Sequence, residues 1–337
     1  MAQTVLITGG AGYIGSHTCK ALAKAGYIPV VYDNLSTGHE YAVKWGPFIQ
    51  GDLSDKATLS QAFITHNPIA VIHFAASALV AESVTDPGKY YRNNVASTLC
   101  LLETMRDHGV QKLIFSSTCA IYGNPVTIPI NEKHPQNPIN PYGRSKLMIE
   151  QMIADFEAAH GLTAVILRYF NAAGADLETQ IGENHAPETH LIPSVIQVAL
   201  GLNEEVIVYG TDFETKDGSA IRDYIHVQDL ADAHVAALSC PHSIALNLGT
   251  GTGHSVFEVI DAVQKFCGKV LPVRLENRRI GDPSILTADN SKAFEILNWQ
   301  PQVSDLPSIV ESAWKWHQLL FASSDLVKAA LTDKPCS

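Results

Sequence analysis

The apolar run VLIT at residues 5–8 passes directly into TGGAGYIGS, where Gly9, Gly12 and Gly15 are spaced three apart just ahead of a helical segment. A strand, a tight glycine turn and a helix in that order form the first half of a βαβ unit. The glycines let the main chain approach a ligand that a Cβ would hold off. The helix turns its unpaired N–H groups and the positive end of its dipole towards the same point, which suits a pyrophosphate. Tyr13 and Ile14 belong to this turn. Further apolar runs, IPVVYD (28–33), AVIHFA (70–75), KLIFSS (112–117) and TAVILRYF (163–170), alternate with helical stretches at 16–25, 56–66, 90–108 and 143–160. Continuous apolar strands separated by helices signal a parallel sheet covered on both faces. The expected fold is therefore α/β, a Rossmann-type doubly wound parallel sheet. After Asn171 the texture becomes polar and rich in Gly and Pro. This predicts a nucleotide-binding domain over 1–171 that carries the catalytic residues, and a smaller α/β substrate-binding region over 172–337, interleaved with the first.

Ligands of such sheets bind at the carboxyl ends of the strands. Asp33 ends the second run, 21 residues after Gly12, with Asn34 and no arginine behind it. A carboxylate there accepts the ribose hydroxyls of NAD and repels a 2′-phosphate, so NAD is the expected cofactor. Asp52 and Leu53 in GDL, and Phe74, Ala75 and Ala76 in HFAA, stand at the ends of the next two strands, where they would meet the adenine and the middle of the dinucleotide.

A second constellation lies further on. FSSTCAIYG (115–123) brings hydroxyls, Thr118 among them, to the end of the 112–117 strand, and NPINPYGRSKLMIE (137–150) opens a helix. Asn140 suits an N-cap and Pro141 the first helical position, which puts Tyr142 in the first turn and Lys146 one turn on, on the same face. An alcohol gives up hydride only if its hydroxyl proton also leaves, so a base must sit at that oxygen. A phenol with a pKa near 10 must be lowered by about 3 units to serve at neutral pH, roughly 4 kcal/mol. A unit charge about 4 Å away at an effective dielectric near 20 supplies about 4 kcal/mol. Lys146 is of the right order to tune Tyr142, and an oxidised nicotinamide would add to it.

Composition excludes other classes. A net charge of −11 argues against nucleic acid or an anionic membrane as partner, and no 18-residue apolar run or secretory leader is read in the chain. A cytoplasmic location is expected. Six cysteines lack CxxC pairing and fourteen histidines lack HExxH spacing, so reduced thiols and no metal are expected.

TGGAGYIG, Asp33, YGRSK and the strand-end serine and threonine resemble the extended short-chain dehydrogenase/reductase family. Within it, VYDNLSTG, VIHFAA, YYRNNV, LRYFNAAGA, GSAIRDYIHVQDLADAH and NLGTGTGHSV look like the nucleotide-sugar epimerases, from about residue 4 to about residue 315. The resemblance implies one tightly bound NAD and inversion of C4 through a keto sugar, linking UDP-glucose with UDP-galactose and, more slowly, the N-acetylated pair. By the same resemblance Tyr142 is the base, Lys146 also holds the nicotinamide ribose, and Thr118 completes the catalytic set. Asn94 and Tyr169 fall on the cofactor side. Asn171, His190, Leu191, Arg222, Arg279 and Asp282 fall on the UDP side, with Tyr209 placed to stack on uracil. Leu286 stands where the family sets the pocket's width at the sugar's C2 substituent. Ala78 replaces a lysine common near the pyrophosphate.

Three alternatives share parts of this pattern. A 4,6-dehydratase would place Asp-Glu after the strand-end threonine, where this chain has Cys119 and Ala120. A non-catalytic NAD-binding module would not need the tyrosine–lysine pair, and a UDP-glucuronate decarboxylase would need a dedicated cation that is not identified. A homodimer is expected from two apolar stripes, Met148, Met152 and Phe156 on one helix and Val95, Leu99 and Leu102 on the other, which the family commonly pairs across a two-fold axis.

Overall fold

The computed structural model describes residues 2–279 and 282–332. Its centre is a seven-stranded, wholly parallel sheet in the order β10-β6-β5-β4-β1-β2-β3. The strands are β1 (Thr4–Thr8), β2 (Ile28–Asp33), β3 (Phe48–Gln50), β4 (Ala70–His73), β5 (Lys112–Thr118), β6 (Thr163–Tyr169) and β10 (Ile244–Leu248). Side chains alternate across the strands. Val5 and Ile7 join Val31, Ile72 and Leu167 under α1 (Tyr13–Lys24) and α8 (Val227–Ala237), whereas Leu6 joins Val30, Val71, Leu113 and Phe115 under α2 (Lys56–His66), α5 (Ser97–Asp107) and α6 (Pro141–His160). Burying a strand on both faces in this way accounts for its continuous apolar sequence. The strand order reverses between β1 and β4, which opens a crevice at their carboxyl ends.

The remaining elements build a second core from Ile192, Val195, Val208, Val259, Ile260 and Ile309. They include β7 (Asn171–Ala173), α7 (Leu191–Ala199), β8 (Val206–Tyr209), β9 (Ile221–His226), β11 (Gly253–Ser255), α9 (Val256–Cys267), β12 (Val273–Glu276) and α11 (Leu306–Thr332), while β13 (Ile285–Leu286) borders a smaller cluster and α10 (Ser291–Leu297) packs into the first core against β10 and α8. β10 adds the seventh strand to the first sheet, and α8 packs on α1. Both lie beyond residue 172, so the chain returns to the first sheet after building much of the second core. No helix among the described residues is long and apolar enough to cross a membrane.

Helix 90–108 is not one helix. After α3 (Val80–Thr85), residues Pro87–Tyr90 are α4, Tyr91–Ala96 form a wide turn of the π type, and α5 follows. Such turns are rare and often mark functional sites. Leu102, expected at a subunit face, is buried among Leu101, Met105 and Ile153 against the sheet, while Leu99 and Met148 are exposed.

Four of the buried imidazoles are almost wholly enclosed: His17, His73, His226 and His234. Burial lowers each of them, His73 to about 3 and the other three to about 4. The unfolded chain takes up these protons below its ordinary value of 6.5, and the folded chain does so only near 4. Their contribution to stability is therefore complete above about pH 6.5 and is lost as pH falls towards 4. Urea unfolding midpoints should drop steeply between pH 7 and pH 5; a flat profile would contradict this.

Candidate active site

The glycine turn sits at the crevice. Gly9 has φ +75°, and a Cβ there would fall 2.6 Å from the Ala75 nitrogen at the end of β4. A Cβ on Gly15 would lie 2.2 Å from the Gly9 carbonyl oxygen, so neither position admits a side chain. α1 therefore starts close against β1 and β4. Its N-cap, Gly12, makes no side-chain cap, which leaves first-turn N–H groups open towards the crevice. Beside them Asp33 accepts hydrogen bonds from the N–H of Ala11 (3.0 Å) and Leu35 (2.8 Å). Burial raises its carboxyl, and these two N–H groups oppose the rise. The carboxylate is held in place with lone pairs to spare for diol hydroxyls. Open helix N–H groups, a glycine cradle and a fixed carboxylate fit a dinucleotide of the NAD type.

Other residues expected on the cofactor side differ in what they present. Asn34 donates to Asp52 at 2.8 Å, so the two make one polar rim. The Leu53 side chain is buried in the core beneath α2 and leaves only main chain at the strand end. Phe74 packs on His234, with ring centres 4.7 Å apart, and with Ala75 and Ala76 lines the half-buried end of β4. Tyr13 turns away and donates to the Gly174 carbonyl at 2.6 Å. Ile14 packs against the core. Asn94 lies in the wide turn, fully buried, and its amide is consumed by protein: its oxygen accepts from the Ser77 N–H (2.8 Å), and its nitrogen donates to the Ser77 carbonyl and to Ser145 Oγ (3.0 Å each). It ties the loop after β4 to α6.

At the other wall, Asn140 caps α6 by accepting from the Gly143 N–H at 2.8 Å. Pro141 occupies the first helical position, as expected, and the half-buried Tyr142 faces Thr118 at the end of β5. Burial pushes the phenol above its ordinary range, neighbouring Tyr169 adds to the rise, and a hydrogen bond with Thr118 opposes it. Tyr169 shares a 2.6 Å hydrogen bond with Ser116 Oγ. Thr118 Oγ1 also accepts the Ala120 N–H at 3.1 Å.

Lys146 departs from the simple spacing argument. Its ammonium donates to the Ser116 carbonyl at 2.8 Å and lies 4.9 Å above the Phe115 ring, rather than serving as the phenol's partner. Strand β5 presents a carbonyl there, and a buried ammonium takes the nearest strong acceptor. Burial lowers Lys146 to about 7, with Glu150 opposing.

Beneath this wall lies a network that sequence reading missed. Glu150, one turn beyond Lys146, accepts from Ser117 Oγ (2.5 Å) and from Arg168 through both Nε (3.1 Å) and Nη2 (2.5 Å). Arg168 Nη1 donates to Tyr122 Oη (3.0 Å), which donates to Asn247 (2.7 Å). Helix α6 is thus bolted to β5, β6 and β10. A charged residue in each of two core-facing elements was the available signal.

The residues expected to meet a nucleotide sugar come from the second region. Arg222 on β9 pairs with Asp282 and acts electrostatically on Cys119, next to Thr118. Asn171 on β7 lies beside β9 in register with Tyr224. The Arg279 guanidinium covers a face of the Tyr209 ring at 3.9 Å, the ring expected to receive a base. Leu286 pairs with Arg222 and packs, half-buried, on the cluster of Ile121, Tyr122, Ile130 and Phe170 that Cys119 also borders. His190 caps α7 ahead of Leu191, and its Nδ1 lies 2.6 Å from Glu183.

The chain is similar to known proteins over most of its length. The pattern of the NAD dependent epimerase/dehydratase family matches residues 5–249. A UDP-glucose 4-epimerase of Rhizobium meliloti (strain 1021) is 54% identical over 319 residues, covering 94% of this chain and 97% of that one. The crystal structure of UDP-glucose 4-epimerase from Brucella ovis in complex with NAD superposes with a TM-score of 0.91 at 53% identity, covering 93% of this chain and 98% of that one. The corresponding enzyme from Bifidobacterium longum, in complex with NAD+ and UDP, gives 0.90 at 41% identity, covering 94% and 98%.

Proposed function

Because the chain belongs to the NAD dependent epimerase/dehydratase family, we infer that it interconverts UDP-glucose and UDP-galactose by NAD-dependent inversion at C4. The observation that carries this is the hydrogen bond between Thr118, at the end of β5, and Tyr142, on the helix whose Lys146 reaches the Ser116 carbonyl of the same strand. NAD held in the crevice would supply reversible hydride acceptance at C4, so that a 4-keto sugar could form and be reduced again from the opposite face. Tyr142 Oη takes the proton of the C4 hydroxyl and later gives it back. Thr118 Oγ1 hydrogen-bonds the phenol and holds the reacting oxygen against it. The Lys146 ammonium, fixed by the Ser116 carbonyl, supplies the positive field that offsets the burial of the phenolate. With Lys146 near 7, that field strengthens as pH falls through neutrality.

Asp33, the open N–H groups of α1 and the end of β4 would hold the dinucleotide, while Asn94 acts by positioning the loop after β4. Arg222, Arg279, Asp282, Asn171, Tyr209, Leu191 and, through its Nε2, His190 would hold UDP. A diphosphate suits forked guanidinium donors, and Arg222 would exchange Asp282 for it. Extraction of the purified protein with acid and chromatography of the released nucleotide tests the cofactor assignment: NAD should appear in about one equivalent per chain, and NADP in its place would count against the role of Asp33.

Leu286 is proposed to set the width of the sugar pocket. It offers no ring and no polar group, so the simple UDP-hexoses are preferred and the N-acetylated pair is turned over more slowly. Leu286→Tyr should abolish activity on the N-acetylated pair and spare the simple pair, a specificity change of roughly 10- to 200-fold; equal losses on both, measured as kcat/KM, would show that it does not gate the pocket.

We further propose a cytoplasmic homodimer that pairs α5 and α6 through their exposed Leu99 and Met148. A monomer by light scattering at micromolar concentration would contradict that pairing.

A further inference from the structure

The segment between β7 and α7 gathers Glu183, His185, Glu188 and His190, offering one ligand atom each, all within 4.8 Å of one another. Glu183 Oε1 lies 2.6 Å from His190 Nδ1 and 3.1 Å from His185 Nδ1. Glu188 approaches His190 Nδ1 at 3.2 Å and His185 Nδ1 at 3.9 Å. Glu183 is 3% exposed, and its Oε1 is buried without an aligned hydrogen-bond partner; the same holds for His185 Nδ1. Glu183 Oε1 and His185 Nδ1 thus depend on each other and on His190 Nδ1 for their contacts, and four donor atoms crowded on one point leave lone pairs that a cation would satisfy.

The spacings fit a metal ion. Donors held tetrahedrally at about 2.0–2.1 Å stand about 3.3 Å apart, the middle of the observed range. Two carboxylates also balance a divalent charge. We propose that Glu183, His185, Glu188 and His190 form a binding site for a divalent transition metal of the zinc type. Imidazole nitrogens in half the positions favour such an ion over magnesium or calcium, which prefer all-oxygen sites.

The site's surroundings are built for rigidity. Trp316 donates to the Glu183 carbonyl at 2.8 Å, His39 lies 2.8 Å from the Asn184 carbonyl, and the His185 ring meets Tyr13 edge-on at 6.3 Å. A metal here would clamp the start of α7 to the glycine turn, and so join the two ligand-binding halves of the crevice.

The test uses the untagged full chain, stripped with EDTA and titrated calorimetrically with Zn2+. One ion per chain is expected. His185→Ala, at a half-buried ligand, should weaken binding by at least the ~10- to 100-fold that loss of an outer-shell partner costs. The cobalt form should show visible ligand-field bands without a thiolate charge-transfer band. Zn2+ should raise the melting temperature of the parent protein more than that of His185→Ala. Absence of saturable one-to-one binding, equal affinity in His185→Ala, or a thiolate band assigning the metal to a cysteine would overturn the proposal.

Discussion

Tyr142→Phe should reduce epimerase turnover by about 10²- to 10⁴-fold, the range that a positioned acid–base group contributes. The substitution removes one oxygen and little volume, so the α6 cap at Asn140, the Lys146–Ser116 bond and the glycine crevice remain in place. Bound NAD and the far-ultraviolet spectrum should be unchanged. Steady-state kcat with UDP-galactose is the measurement, and near-normal turnover would remove Tyr142 from the mechanism. The fold itself holds this phenol neutral through burial. The phenolate must therefore be formed with help from positive charge brought to the site, and the loss should appear in kcat more than in KM.

Glu150→Ala should cost about 3–5 kcal/mol of stability, since it leaves the Arg168 guanidinium buried without its carboxylate. Both side chains are almost fully enclosed, and the pair also anchors Ser117 and, through Tyr122, Asn247. Glu150→Gln, which keeps an acceptor for Ser117 but not the charge, should fall between the parent and the alanine variant. Urea unfolding of the NAD-bound protein reads the difference, and a change below about 1 kcal/mol in Glu150→Ala would show the pair to be as weak as one on the surface. Because α6 carries Tyr142 and Lys146, loosening it should also lower activity in variants that remain folded.

Much of this was legible from residue types and spacing. Strands β1, β2, β4, β5 and β6 and helix α2 stand where continuous apolar runs and their interruptions put them, because burial on both faces leaves no polar alternation to misread. The N-cap and first-turn proline of α6 are local chemistry and were readable for that reason. Strand β10 was missed as a member of the first sheet because its residues pair with β6 residues 79 positions earlier, such as Ile244 with Val165, and no local pattern encodes such a pairing. The wide turn at Tyr91–Ala96 has helical composition and is set by the Asn94 bonds to Ser77 and Ser145, which are tertiary.

The site shows the same division. Residue types at strand ends marked Asp33, Thr118 and Tyr142, but where a side chain points was decided by its neighbours. Lys146 turns to a carbonyl of β5, Asn94 to its own loop, and Leu53 into the core. Glu183, His185, Glu188 and His190 follow no familiar metal-binding spacing. They converge because the chain between β7 and α7 folds back on itself, held by Trp316 and His39.

The central claim is that the crevice at β1 and β4 and the wall carrying Thr118, Tyr142 and Lys146 together invert C4 of a UDP-hexose. Purified protein mixed with UDP-galactose and no added NAD should form UDP-glucose to equilibrium with no net change in total oxidised and reduced cofactor. Absence of both bound dinucleotide and turnover, even after NAD is supplied, would contradict it.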